Sequence, residues 1–320
     1  MLPRIRIVDY GVLGTQLVPG SGIVRHAEPP DDFTAFVDPA GLHHIQQSGP
    51  SRAGGASGSI YEHIGIRGDR SFPEDVRQAV NEECDAHYHR YKNGGGEHHH
   101  VIHTVGPRLG HGKYTWDDAV ATLAGAYRNV LACFAGFAAS KAEAGLAPKG
   151  SPVRLRLLPI SGGIFAGEYQ QQIAPLTLAA LQAGISLLTE EERGVLAMDV
   201  DGTEGKAAEG AAQIELCVFL AVELDAFHAA MAEQMAEQPA TAGDSGGKGV
   251  RNRKPKPEVR PEREVPTLAA TRQQRTGWSV TSAVAAAVLV GLAAYAFCTA
   301  LRDAAAIYAY AARDDEADSV

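Results

Sequence analysis

The sequence predicts an α/β layered fold, and three observations predict it. Short apolar runs rich in β-branched residues recur along residues 1–236, stretches with apolar letters at helical spacing lie between them, and two glycine-bearing segments, 53–65 and 157–169, run into helical patterns. The composition agrees: 45% hydrophobic and 21% charged residues over 320 positions are near globular averages, so the chain can bury a core. That length suits one large domain with extras, or two modest domains.

The elements follow in order. Residues 4–9 alternate apolar and polar letters as a strand does, and 33–37, 101–105, 153–158 and 214–222 are the short apolar runs that predict further strands. Helical spacing predicts helices over 58–64, 74–91, 116–139, 168–188 and 225–235, and no internal repeat is present. Residues 237–276 are rich in Gly, Pro and charge without apolar periodicity and are expected to form a flexible basic linker. Nine Lys and Arg residues lie within 248–275. With no aromatic residue among them, they suit a solvated spacer beside anionic lipid better than a nucleic-acid contact.

Residues 277–301 carry no charge over 25 positions, enough at ~1.5 Å per residue to cross a ~30 Å hydrocarbon core, so a single-pass transmembrane helix is expected there. A buried alanine-rich helix shares that composition, but Trp278 and Arg302 at the ends favour the membrane. A short acidic tail, 302–320, follows. The basic flank puts the domain in the cytosol, and so late a span implies tail-anchored insertion into the endoplasmic reticulum or a derived membrane. No signal peptide is legible at the N-terminus, and four widely spaced cysteines fit a reducing compartment.

The net charge of −9 opposes general nucleic-acid binding, so a phosphate-bearing ligand must be held by a local site. Two such sites are legible. AGGASGSIYEHIG, residues 53–65, is a glycine-rich loop entering a helix, where unpaired backbone N–H groups and the helix dipole favour an anion. LLPISGGIFAGEY, residues 157–169, is a strand ending in Ser161, Gly162 and Gly163 before another helix, and ligands in open α/β sheets bind off such strand ends. A dinucleotide GxGxxG reading fails, because neither loop has that spacing.

With VIHTVGP, residues 101–107, added to these two segments, the chain resembles the macro domain family, an ADP-ribose-binding module. The first loop, Ala53 through Ile60, matches the family's GGGVAGAI in register, with Gly65 ending the helix; VIHTVGP agrees with the family strand; and ISGGIFAG, residues 160–167, is similar to its second phosphate loop. Tyr127, Asn129 and the late strand IELCVFL fall in the expected order, so the resemblance covers about residues 5–235. It implies a three-layer α/β/α macro-domain-like fold with a mixed sheet, and a cleft for ADP-ribose across the strand ends. Gly54, Gly55, Ala56, Ser57 and Gly58 would offer amides to the diphosphate from one side and Ser161, Gly162, Gly163 and Ile164 from the other, with Phe165 on the distal ribose.

The departures bear on catalysis. Where the family's hydrolase branch carries VNAAN this chain reads VDPAG, residues 37–41, so the asparagine that positions the distal ribose is replaced by Gly41. An aspartate that orients water in the first loop is replaced by Ser57. The position of the adenine-contacting acid is Thr34, with Asp31 and Asp32 nearby but out of register, and the segment 42–52 is longer than usual. The expectation is therefore a membrane-anchored module that binds ADP-ribose or ADP-ribosylated protein, without an assigned catalytic residue or a cofactor. Its alternatives are an ADP-ribosyl hydrolase acting on modified protein or O-acetyl-ADP-ribose, and a ligand-free structural tether.

Other residues fit structural roles better. His87, His89, His98, His99, His100 and His103 cluster as zinc ligands can, but without cysteine spacing, and NGGGEHHH reads as a solvated loop entering a strand; no metal is expected. Glu62 is a lone glutamate where poly(ADP-ribose) glycohydrolases have a pair, and Cys84, Cys133 and Cys217 stand in apolar contexts as small hydrophobes.

Overall fold

The computed structural model describes residues 5–110, 112–145, 152–196 and 212–237, which belong to the first of two units, Met1–Thr241. All but the first residue of the expected linker, the expected span and the expected tail lie outside the described residues. The elements are β1 (Ile5–Val8), β2 (Thr15–Val18), β3 (Gly22–Arg25), β4 (Thr34–Pro39), α1 (Gly55–His63), α2 (Glu74–Ala79), β5 (Ala86–Lys92), β6 (His98–Thr104), α3 (Trp116–Glu143), β7 (Arg154–Leu157), α4 (Ile173–Ser186), α5 (Glu190–Leu196), β8 (Gln213–Cys217) and α6 (Leu224–Glu237).

Six strands form one sheet in the order β1-β8-β7-β4-β6-β5. All neighbours are parallel except the edge pair β5 and β6, so the sheet is mixed, as the sequence predicts. Strand side chains alternate between two apolar layers. Ala35, Val37, Ile102, Leu155, Leu157, Ile214 and Leu216 join a core built with α3, α4 and α6. Phe36, Val101 and Cys217 face the other way, into a second core with Ile60 and Tyr61 of α1, Ile64 just after it and Val76 of α2. Two cores on opposite faces of one sheet make the three-layer α/β/α arrangement.

Local chemistry starts and stops the helices. Thr115 and Asp118 form a reciprocal capping box at the start of α3, and Thr189 and Glu192 exchange the same two bonds at α5. In α3, Leu123, Tyr127, Val130, Leu131, Phe134 and Phe137 recur every three to four residues and are all buried. Pro175 stands in the first turn of α4, where its missing N–H has no helical acceptor.

The structure corrects several sequence expectations. The helix expected over 74–91 is only α2; Cys84 then turns with φ of 74°, and residues 86–92 form β5. Tyr88 lies against the first core while Tyr91 joins the second, a period of two that only pairing with β6 makes decisive. The helix expected from 58 begins at Gly55, and the one from 168 begins as a 3₁₀ turn, Gly167–Gln172. The strand expected over 214–222 ends at Cys217, where the chain leaves the sheet and Leu17 N–H donates to Phe219 O. His98, His99 and His100 are not a solvated loop: they belong to β6, with His99 and His100 buried. The β2–β3 hairpin and α5 were not foreseen, the hairpin because its two strands are only four residues each.

Candidate functional site

The connections leaving β4 and β7 part in opposite directions. From β4 the chain passes through α1 and α2 on one face to reach β5 and β6; from β7 it passes through α4 and α5 on the other face to reach β8. These two strands are parallel neighbours, so the crevice between their C-terminal ends is a topological switch point, the usual ligand position in open α/β sheets. The two glycine-bearing segments are the loops that leave these strand ends.

The first loop is itself the first turn of α1. Gly54 is the N-cap, so the N–H groups of Gly55, Ala56 and Ser57 have no intrahelical acceptor, and Gly54, Gly55 and Ala56 are exposed. Gly58 N–H is already bonded to Gly54 O at 3.1 Å, which removes it from the free donors; its role is close packing, since a Cβ there would lie 2.8 Å from Ala53 O. The Arg67 guanidinium donates to that same Ala53 carbonyl and so braces the turn from behind.

The second loop is held by its neighbours. Ser161 has φ of 61°, unusual for a residue with a side chain, and its hydroxyl donates to Pro107 O at 2.7 Å. Buried Tyr127 accepts the Ile160 N–H at 2.9 Å, and Phe165 O accepts Leu109 N–H at 2.8 Å. Gly167, with φ of 55°, sits so close to Gly110 that a Cβ would lie 2.3 Å from the Gly110 Cα. Gly162 N–H is bonded to Pro159 O, so the N–H groups left without a backbone acceptor among the described residues are those of Ser161, Gly163, Ile164 and Phe165. Gly163 faces open space and Ile164 is 96% exposed, an apolar side chain standing free at the mouth of the crevice. Phe165 is half-buried, with the Arg108 guanidinium 4.9 Å from its ring centre. Arg108 was not singled out from the sequence, although it follows VIHTVGP directly.

Beneath α1 lies a fully buried polar network. The Asp38 and His103 side chains are 0% exposed and stand 2.7 Å apart, Nδ1 to Oδ2. Ser57 donates to Asp38 Oδ1 and Tyr61 to Oδ2, each at 2.6 Å, and Tyr91 Oη is 2.8 Å from His103 Nε2. One proton arrangement satisfies every group: an Asp38 carboxylate accepting from Ser57, Tyr61 and His103 Nδ1–H, and a neutral His103 accepting from Tyr91 at Nε2. Burial, followed by the Asp38 charge, pushes the Tyr61 phenol well above its ordinary range. The carboxylate sits under the positive end of the helix dipole and fixes Ser57, the third residue of the turn that offers free amides.

Other singled-out residues fall outside the crevice. Thr34 begins β4, and with ~3.3 Å of rise per residue it lies about 16 Å from the strand end that leads to the glycine loop. Asp31 is paired there with Arg154, and Asp32 with Lys141 and His100, so none of these three lines the crevice as an adenine contact. Gly41 follows β4 at the crevice edge. Asn129 caps the Cys84 carbonyl at 3.0 Å, and Glu62 is exposed on α1. Within the histidine cluster, His87, His89, His99, His100 and His103 each have a side-chain partner. Asp75 accepts from His89 and His87, and although partial burial works against it, those bonds hold its carboxyl down at about 2. His63 packs edge-on against His99, and burial pushes both imidazoles down. No group of three or more metal-ligating side chains occurs among the described residues. Burial raises the Cys84 and Cys133 thiols to about 11 and raises that of Cys217 as well, which suits unreactive packing residues.

No family's sequence model matches this chain, and no curated protein is similar to it. Among solved structures, it is similar to a Trypanosoma brucei macrodomain at 16% identity and a TM-score of 0.38, covering 72% of this chain and 68% of that one. It is also similar to the Trypanosoma brucei macrodomain in complex with ADP, at 18% identity, a TM-score of 0.32 and 62% coverage of each chain. A variant of the Oceanobacillus iheyensis macrodomain with ADPR gives 14% identity and 0.36, over 63% of this chain and 87% of that one. All these scores lie below 0.5, so the fold and the crevice rest on the strand order, the connections and the loop contacts described above.

Proposed function

We propose that residues 5–237 are a macro domain that binds ADP-ribose, free or carried on protein, in the crevice between the β4–α1 and β7–α4 loops. The observation that carries this reading is the switch point itself. Two glycine-bearing loops with unspent backbone amides leave adjacent parallel strands there, in the order and with the motifs of the macro family. Amides from Gly55, Ala56 and Ser57 on one side and from Gly163 and Ile164 on the other take the diphosphate without a cationic side chain, which fits an acidic protein. Phe165 and the exposed Ile164 supply apolar contact for a ribose. Calorimetric titration of the protein with ADP-ribose is expected to show saturable one-to-one binding; no heat and no displacement of a labelled ADP-ribose would sink the reading.

Hydrolysis is expected to be slow at best, because Gly41 and Ser57 provide neither the amide nor the carboxylate of the family's hydrolase branch. Asp38, the carboxylate that accepts from Ser57, is sealed from solvent. Ser57→Asp alone would set a second carboxylate against Asp38, so the informative variant is Asp38→Asn, Gly41→Asn, Ser57→Asp together. Release of ADP-ribose from a mono-ADP-ribosylated protein should rise about tenfold or more in that variant. Rapid turnover by the wild type, unchanged in the variant, would instead favour a hydrolase with a different layout.

The single-pass helix at 277–301 and the cytosolic placing of the domain rest on the apolar run and its basic flank. Protease added to intact microsomes is expected to digest residues 1–236 and spare 302–320; the reverse pattern would show the opposite orientation.

A further inference from the structure

Between β4 and α1 the chain makes a π-helical turn, His44–Ser48, and a 3₁₀ turn, Pro50–Arg52, and both are firmly built in. Ile45 is 1% exposed, and the Gln46 side-chain amide donates to the carbonyls of Arg77 and Val80 at 2.8 and 2.6 Å. His44 Nδ1 is 2.9 Å from Ser48 Oγ. Gly49, with φ of 70°, backs onto the 66–72 loop so closely that a Cβ would lie 2.3 Å from Arg70 O. These contacts lock two loops together around a concavity of about 480 Å³ lined by His43, Gln47, Ser48, Ser51, Arg52 and Arg70.

No carboxylate lines this hollow. Arg6, Arg77, Arg128, Arg154 and Arg156 each stand within 4 Å of an acidic side chain, whereas Arg52 and Arg70 have no carboxylate partner and no side-chain hydrogen bond among the described residues. In a chain of net charge −9, two unpaired guanidiniums, an imidazole and two hydroxyls line one concavity, a donor set that suits an anion. Guanidinium forks match phosphate oxygens two at a time, and serine hydroxyls donate to the oxygens that remain.

We infer that this concavity is a second anion site, separate from the crevice, that takes a phosphate-bearing group through Arg52 and Arg70. It does not depend on what the crevice binds. Arg52 stands two residues before Gly54, so the two anion sites flank the same turn.

The test is the number of inorganic pyrophosphate ions bound per full-length chain at fixed ionic strength, by equilibrium dialysis. Two are expected for the wild type, one for Gly163→Glu, which blocks the crevice, and none when Arg52→Gln and Arg70→Gln are added to Gly163→Glu. Both arginines are exposed, so these changes leave the fold intact, and Arg52→Gln with Arg70→Gln alone should leave ADP-ribose affinity within about twofold while weakening the second pyrophosphate about tenfold or more. Equal pyrophosphate binding by Gly163→Glu with and without the arginine changes would overturn the second site. If instead Gly163→Glu binds as the wild type does and the arginine changes remove one ion, the second site stands and the crevice assignment is what fails.

Discussion

Asp38→Ala is expected to destabilise the domain by about 3–5 kcal/mol, because it removes the shared acceptor of three buried hydrogen-bond donors. The change leaves the hydroxyls of Ser57 and Tyr61 and the Nδ1–H of His103 without an acceptor in a space that water does not reach, since Asp38 and His103 are both 0% exposed. Each buried donor left unpaired costs about 1–3 kcal/mol. Asp38→Asn should cost less, because its carbonyl oxygen still accepts one of the three bonds. Thermal unfolding followed by circular dichroism is expected to show a fall of about 10 °C for the alanine variant and a smaller fall for asparagine. A loss below about 1 kcal/mol for Asp38→Ala would show that the proton arrangement assigned to the network is wrong.

Gly163→Glu is expected to abolish ADP-ribose binding, weakening it about a hundredfold or more, because it sets a bulky carboxylate where the diphosphate would lie. The substitution is a clean probe because a Cβ at Gly163 meets nothing within 4 Å and the residue does not have a positive φ. The melting temperature should therefore stay within about 1 °C of the wild type, as for other surface changes that touch nothing. Gly163→Ala should change affinity far less, since it adds bulk without charge. Unchanged affinity in Gly163→Glu, measured by the same titration, would remove the second loop from the site.

Much of the fold was legible because its signals are local. The α3 pattern of apolar residues every three to four positions, the alternation of residues 4–9, and the two glycine-bearing strand-to-helix junctions can each be read without knowing what lies across the sheet. The β5 strand could not be read this way. Residues 74–91 place apolar letters that satisfy a helical spacing, and only the seven-residue antiparallel register with β6 selects a period of two for the second half. The same pairing draws His98, His99 and His100 into β6, turning what reads as a polar loop into a strand in which Asp32 and Tyr88 hold His100 and Asn93 holds His99.

The sequence by itself determined the layered α/β class, the two glycine-bearing strand-to-helix junctions, and the positions, Gly41 and Ser57, at which it departs from the motifs it resembles, because these depend on residue identity and short spacing. Only the tertiary structure decided which amides in those loops remain free. Gly58 and Gly162 look like donors in the sequence, but their N–H groups are used within their own turns. Tertiary contact alone also brought Asp38, 19 residues before Ser57 and 65 before His103, into one buried network beneath α1, and set Arg52 and Arg70 around a common hollow. The physical reason is the same in each case. A hydrogen bond or a shared cavity is a relation between groups distant in the chain, and its partners are chosen by how the sheet and helices pack.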